Sequence, residues 1–441
     1  MCWIKLYTLF FYVIIFAICA LMFEVYVEFY NHDNTPIRHE DTPIVLWWTP
    51  FGSHDDYRKC GSVSCFFTQN RSYVNNRNLK VILYYGSNVD VADLPIPRLN
   101  NVKWGLLHEE SPRNNLMFVH EDALKLFNYS ATFSRYSDVP LTTVDLPGIN
   151  ELSGTTYFLP TKKKNLLMKE KKLAPVLYIQ SNCDTMNDRD LYILELIKYI
   201  PVDSYGSCIN NRQLPDNLKE NYVDQLNKKE FMEFVAQYKF TLAFENAVCD
   251  DYITEKLWRP LIVGSVPIYY GSPSFKDWLP RNNSAIAVND FENPKELAEY
   301  LLACLEDDEK YEDHLKHKLL KNKINNKRLL DSLIIRPNDL FSIFGYYVSK
   351  FECYVCEKSQ LNDLSTVTKK HYNCSKPMHI WQNKSDSGYK KNFWLDMWEQ
   401  EACTAKLLFH AISNSQSINM QKFDIEKMEM YESKKCFDIK N

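Results

Sequence analysis

Apolar positions along the chain fall into short continuous runs, bounded by turn residues and separated by stretches with helical spacing. Residues 44–51 (IVLWWTPF), 79–87 (LKVILYYGS) and 101–111 (NVKWGLLHEES) read as buried strands, the last ending in two acids. A second series follows. APVLYIQSN, YKFTLAFEN, VPIYYGS and SAIAVNDF read as strands; DRDLYILELIKYI, DYITEKLWRPLIVG and ELAEYLLACLEDD read as helices. Alternation of this kind predicts two parallel α/β units with right-handed crossovers. In such sheets ligands bind beyond the carboxyl ends of the strands, and two facing units make a cleft.

One apolar run differs in length. Residues 6–23 form 18 consecutive positions with Thr8 the only polar one. That suffices to span a bilayer. Lys5 precedes it, and Glu24 and Glu28 follow, which predicts a signal anchor with a cytosolic N-terminus. A cleaved signal peptide is the alternative; in both cases the remainder enters the secretory lumen. The expected organisation is an anchor at 1–23, a short stem at 24–42, an acceptor-side unit at 43–160, a donor-side unit at 161–350 and a Cys-rich extension at 351–441. The basic stretch 161–172 (TKKKNLLMKEKK) reads as a solvated link between the units. Residues 314–330 read as a solvated basic helix, with acceptor or membrane contact as the other possibility.

A net charge of -4 over 441 residues gives no reason to expect a nucleic-acid partner. The cysteines change the picture more. Eleven of the 13 lie beyond the apolar run, so at least one is free or paired between chains. Cys304, on a helical apolar face, is the expected buried thiol. Cys60 and Cys65 are expected to close a small loop, and Cys353, Cys356, Cys374, Cys403 and Cys436 to form disulfides in the extension. The spacing of Cys353, Cys356, His371 and Cys374 would also suit zinc, but an oxidising lumen favours disulfides. Asn70, Asn128, Asn282, Asn373 and Asn383 stand in N-x-S/T glycosylation sequons.

Charge density peaks in FENAVCDDYITEKLWRPLIVGSVPIYYGSP, residues 244–273. If 251–264 is a helix, Tyr252, Glu255, Lys256 and Arg259 share one face, and Ile253, Leu257 and Leu261 the buried one. Its N-terminus would lie at the sheet's carboxyl edge and favour an anion. Lys256 adds positive charge, and Glu255 could accept hydrogen bonds from sugar hydroxyls. That is the arrangement expected for a nucleotide-sugar phosphate; an exposed helix with charge pairs is the bland alternative. Ser181 and Asn182 end a strand, and Arg189 enters the next helix, where it could fork onto a phosphate. Asp188-Arg189-Asp190 matches a short D-x-D metal pattern, but acids also suit a helix start. Glu109 and Glu110 end a strand, where a carboxylate can serve as general base.

Taken together, these segments resemble the α-1,3-fucosyltransferase family, glycosyltransferase family 10. Residues 244–274 look like that family's donor-binding signature, and SN with Arg189, SYG at 204–206, HEESP and FSRYSD look like its other motifs, in order. The resemblance covers about residues 44–305, and WWTPF, LLHEESPRN and YYGSPS look closest to the protein O-fucosyltransferase subgroup, which acts on Ser/Thr of EMI domains. It implies a GT-B fold of two Rossmann-like domains, no obligatory metal or other cofactor, and GDP-fucose as donor. It implies donor-binding roles for Ser181, Asn182, Arg189, Tyr205, Gly206, Glu245, Asn246, Tyr252, Glu255 and Lys256, and the catalytic base role for Glu110, with Glu109 a neighbouring competitor. Cys249 and Asp250 fall in a variable part of the signature and are assigned no role. The expectation is an inverting fucosyltransferase of the endoplasmic reticulum or Golgi membrane acting on a folded protein module. A GlcNAc hydroxyl on a glycoprotein is the alternative acceptor, and a lumenal pseudoenzyme that only binds clients is the alternative of another class.

Overall fold

The computed structural model describes residues 41–51, 55–219, 228–334, 336–337, 340–361, 365–381 and 393–437. The apolar run at 6–23, nearly all of the stem and Asn383 lie outside the described residues. Among the described residues, no helix is long and apolar enough to cross a membrane.

Two sheets organise the described residues. The first contains β1 (Ile44–Trp47), β2 (Asp56–Cys60), β3 (Val63–Thr68), β4 (Leu79–Tyr85), β5 (Lys103–His108) and β6 (Tyr129–Thr132), in the order β2-β3-β1-β4-β5-β6. Every pairing in it is parallel except the β2–β3 hairpin. The second contains β7 (Val176–Ile179), β8 (Val202–Tyr205), β9 (Phe240–Phe244), β10 (Val266–Tyr270) and β11 (Ile286–Ala287), in the order β11-β10-β9-β7-β8, all parallel. The central strands β1, β4, β9 and β10 are largely apolar because helices cover both faces, whereas the edge strand β2 (DYRKC) is polar and mostly exposed. Leu46, Ile82 and Leu106 lie in one core, and Leu177, Ala243 and Tyr269 in another. Strand order reverses between β1 and β4 and between β7 and β9. These switch points open crevices at the carboxyl edges.

Four expectations are corrected. First, Cys60 and Cys65 do not bond each other: Cys60 joins Cys353 and Cys65 joins Cys356. In the hairpin Cys65 stands opposite Arg58, and Cys60 opposite Val63. A diagonal neighbour is roughly 7–8 Å away, beyond disulfide reach. Both cysteines instead meet helix Leu340–Lys358, where the i,i+3 spacing of Cys353 and Cys356 presents them together. Glu352 on that helix accepts from Trp47 Nε1 at 2.8 Å and Arg58 Nη1 at 2.7 Å. This helix therefore belongs to the first sheet and runs through the expected boundary at 350/351.

Second, 161–172 is solvated on one face only. It forms helix Thr161–Lys171, and the buried Lys164 ammonium donates to Tyr238 O at 2.8 Å and Gly264 O at 2.7 Å. Gly264 closes helix Glu255–Val263 in the left-handed region at φ 73°, so the cation satisfies a helix C-terminus. Third, the basic stretch 314–330 breaks into short helices Lys316–Leu319 and Lys327–Leu333. Lys318 is buried and donates to Gly154 O at 2.8 Å, past the end of helix Ile149–Ser153. Fourth, the helix expected at 251–264 begins only at Glu255, with Thr254 as N-cap.

The extension packs back onto the first unit. Helix Phe393–Ser413 lies against 116–124 and against helix Met420–Glu432, and Cys403–Cys436 ties the pair. Cys304 is the free, buried thiol among the described cysteines.

Candidate active site

A cavity of about 400 Å³ opens between the two sheets' carboxyl edges. Glu109 and Glu110 reach it from the end of β5; Asn246, Tyr252, Ile253, Thr254, Glu255 and Lys256 line it from the segment after β9. The sequence folds this way because β9 stops at Phe244 and the chain must cross the edge before Thr254 can cap the next helix. Glu245 makes that crossing rigid. Fully buried, its carboxylate accepts from Thr254 N and Thr254 Oγ1, both at 2.8 Å. Glu245 is thus a staple of the loop rather than a cavity wall.

Lys256 sits at the centre of the charge. Its ammonium is 3.1 Å from Glu255 Oε1 and 3.7 Å from Glu245 Oε2. Burial disfavours charge on Lys256, but the two carboxylates outweigh it and the ammonium is held more firmly than usual. Burial likewise opposes charge on Glu255; Lys256 and Arg259 overcome it and hold that carboxyl down to about 2. The two acids after β5 differ. Glu109 accepts from Tyr85 Oη at 3.2 Å, and burial lifts its carboxyl to about 7. Burial also raises Glu110, while the Lys256 charge opposes the rise. Glu110 is therefore the acid that feels the donor-side charges, whereas Glu109 is tied to its own sheet.

The structure separates the expected donor residues into groups. Asn246, Tyr252, Glu255 and Lys256 line the cavity, and Tyr252 Oη donates to Asn246 Oδ1 at 3.2 Å. Ser181 and Asn182 are exposed just beyond the end of β7, and Gly206, at φ 87°, turns the chain after β8; none of the three lines the cavity. Arg189 is buried at the β7–β9 switch point. It donates to Phe244 O at 2.7 Å, Gln180 Oε1 at 2.7 Å and Asn182 O at 2.9 Å. Its fork thus joins the ends of β7 and β9, with Nε unpartnered among the described residues. Tyr205 is core: its hydroxyl meets Tyr238 Oη at 2.8 Å. The D-x-D acids are also occupied, since Asp190 accepts from Tyr178 Oη at 2.5 Å and Asp188 lies 2.7 Å from His379 Nδ1.

Sequence reasoning missed Asp145, which lines the cavity from the segment after β6. Burial pushes its carboxyl up to about 8, the Glu255 field adding and Lys256 opposing. Nothing in VDLPG marks this acid, because its neighbours in space are distant in sequence. Cys249 was also missed and joins Cys374; Cys183, missed as well, joins Cys208 across the ends of β7 and β8.

One sequon is consumed by the fold, and a second is engaged at the surface. Asn128 Oδ1 accepts from Arg98 Nη2 at 2.6 Å and Trp104 N at 3.1 Å, and its amide donates to Ser365 O at 3.0 Å. The Asn373 amide donates to Asp250 Oδ2 at 2.6 Å. Asn70 and Asn282 are exposed.

The family model described as Glycosyltransferase family 10 (fucosyltransferase) C-term matches residues 168–370, and Fucosyltransferase, N-terminal matches residues 39–143. GDP-fucose protein O-fucosyltransferase 3 of Homo sapiens is 42% identical over 396 residues, 86% of this chain and 82% of that protein. The Gallus gallus protein of the same name is 40% identical over 410 residues, 90% of this chain and 85% of its own. Among solved structures, an alpha1,3-fucosyltransferase with GDP covers 72% of this chain and 92% of its own at 20% identity, with a TM-score of 0.40. The chain belongs to glycosyltransferase family 10, the fucosyltransferases.

Proposed function

We propose that this fucosyltransferase transfers L-fucose from GDP-β-L-fucose, with inversion, to a Ser or Thr hydroxyl of a folded, disulfide-rich protein module. The observation that carries this reading is the 40–42% identity, over most of the chain, to proteins named GDP-fucose protein O-fucosyltransferase 3. The cavity supports it, because one acid faces the donor-side charges across a space open to both units. In this reading the Glu110 carboxylate takes the proton of the acceptor hydroxyl. The hydroxyl oxygen forms a bond to the anomeric carbon as the bond from that carbon to the β-phosphate oxygen breaks. GDP leaves with the electron pair, and the product is α-linked. Lys256 and the start of helix Glu255–Val263 steady the departing diphosphate. Tyr252 and Glu255 hold sugar hydroxyls.

The apolar run at 6–23 would act as a signal anchor holding the catalytic units in the lumen of the endoplasmic reticulum or Golgi. A protein acceptor must fold before modification, which favours the endoplasmic reticulum. The test offers the purified protein GDP-fucose with a folded EMI domain or a GlcNAc-terminated N-glycan and maps fucose by mass spectrometry. Fucose on Ser/Thr of the EMI domain is expected. Fucose only on the glycan would replace the protein acceptor, and donor binding with turnover on neither would indicate a client-binding protein.

A further inference from the structure

Residues 369–375 cross from one unit to the other directly behind the cavity. Their first half is bonded to the first unit. Lys369 Nζ donates to Val119 O at 2.6 Å, and Lys369 N to Glu121 Oε2 at 2.7 Å. Lys370 O accepts from Ser134 Oγ at 2.9 Å, and His371 O from Thr132 Oγ1 at 2.5 Å. Their second half is bonded to the donor loop. Asp250 N donates to Asn373 O and Ser375 N to Val248 O, both at 2.8 Å, and Cys374 is disulfide-bonded to Cys249.

Tyr372 stands at the crossover. It is fully buried, and its hydroxyl donates to the backbone carbonyl of Glu110 at 3.1 Å. Its ring lies 5.2 Å from His108, two residues before Glu110, and 4.6 Å from Phe133. Phe133 in turn lies 5.2 Å from the Tyr252 ring. A continuous aromatic chain thus runs from the strand end that carries Glu110 to the loop that carries Tyr252. His108 adds to the dependence. Both its ring nitrogens are buried without hydrogen-bond partners among the described residues, so those residues give this strand end no polar anchor through that side chain.

We propose that residues 369–375 are a strap that sets Glu110 against the donor loop, with Tyr372 as its positioning residue and the Cys249–Cys374 disulfide as its fixed end. The physical need is geometric. Glu110 and Lys256 belong to different sheets, so their separation is defined only by what joins the units. A base displaced by about 1 Å can lose on the order of 10²-fold in rate. The inference rests on the reading of Glu110 as the base.

The test uses the full-length protein with GDP-fucose and the EMI-domain and glycan acceptors. Tyr372→Phe keeps the ring and removes only the hydroxyl. It is expected to lower kcat roughly 10-fold with the KM for GDP-fucose and the melting temperature essentially unchanged. The double variant C249S/C374S is expected to lower kcat likewise, with calorimetric GDP affinity retained. Wild-type kcat in either variant, or a fall in kcat that tracks losses of GDP affinity and melting temperature, overturns the strap as a positioning device. Glu110→Gln in the same assay separates the two readings. If it is inactive while Tyr372→Phe is normal, only the strap falls. If it retains kcat, or if wild type turns over neither acceptor, the base reading and the strap fall together.

Discussion

Arg135 and Asp251 form a forked ion pair across the seam between the two units, Nη2 to Oδ1 at 2.6 Å and Nε to Oδ2 at 2.8 Å. Asp251 is buried in the left-handed region at φ 63°, and Trp278 Nε1 donates to the same carboxylate at 2.8 Å. Burial works against its charge, but the Arg135 hydrogen bonds outweigh it and hold the carboxyl below the usual range. The FSRYSD segment is thereby locked to the donor loop.

Removing Arg135 strands a buried carboxylate. Arg135→Met is expected to cost roughly 3–5 kcal/mol of stability at pH 7, read from urea unfolding. Because the folded carboxyl is depressed, the wild-type contribution is present above the unfolded value of about 3.9 and disappears as pH falls through the folded one. The gap between wild type and variant therefore narrows below about pH 4. A gap independent of pH would show that the lost packing, not the charge, dominates.

Lys256 and Arg189 should separate experimentally. Lys256→Ala is expected to fold and to weaken GDP-fucose binding by about 10–100-fold, the scale of one charge-assisted hydrogen bond. Arg189→Ala strands Phe244 O, Gln180 Oε1 and Asn182 O, so its main effect is expected on the melting temperature. Calorimetry and thermal unfolding of both proteins check this. Unchanged GDP affinity in Lys256→Ala would remove the lysine from the donor site.

Glu110→Gln is expected to keep GDP-fucose affinity and lose about 10²–10⁴-fold in transfer. Glu109→Gln should be milder, since that acid is committed to Tyr85. Glu110 titrates above its ordinary value. Because a base works deprotonated, the acid limb of the pH–rate profile should lie above about pH 4.5 in wild type. Steady-state rates across pH decide it; an inactive Glu109→Gln beside an active Glu110→Gln would reverse the two roles.

Glycan mapping should find the exposed Asn70, Asn282 and Asn373 occupied in the secretory pathway and Asn128 empty. The Asn128 side chain is bonded within the fold, to Arg98 Nη2, Trp104 N and Ser365 O. Peptide mass spectrometry after enzymatic deglycosylation in oxygen-18 water distinguishes occupied from empty sites. A glycan on Asn128 of the folded protein would contradict this packing.

Much of the architecture is legible in the chain because it is encoded locally. Apolar runs such as VILYY and TLAF stay buried whatever partner they meet, and the strand–helix alternation restricts the crossovers. Leu257 and Leu261 are buried as their helical spacing requires, and Ile253 is buried as well, although it lies ahead of the helix. Helix starts were less legible. The Thr254 cap competes with continuation of the period toward Asp251, and the cap wins because Glu245 accepts from both polar groups of Thr254.

By itself the sequence determined two α/β units, the charged segment at the edge of the second, and the acids at the end of β5. These depend on neighbours within a few residues, where side-chain period and turn chemistry act directly. Only the tertiary structure decided that Cys60 bonds a residue 293 positions away, that Asp145 enters the cavity, that Lys164 is buried at a helix end, and that Tyr372 meets Glu110. Such pairings depend on how the two sheets are joined, and no local pattern carries that information. Their energy comes from burial and polar satisfaction, and both exist only after distant segments have met.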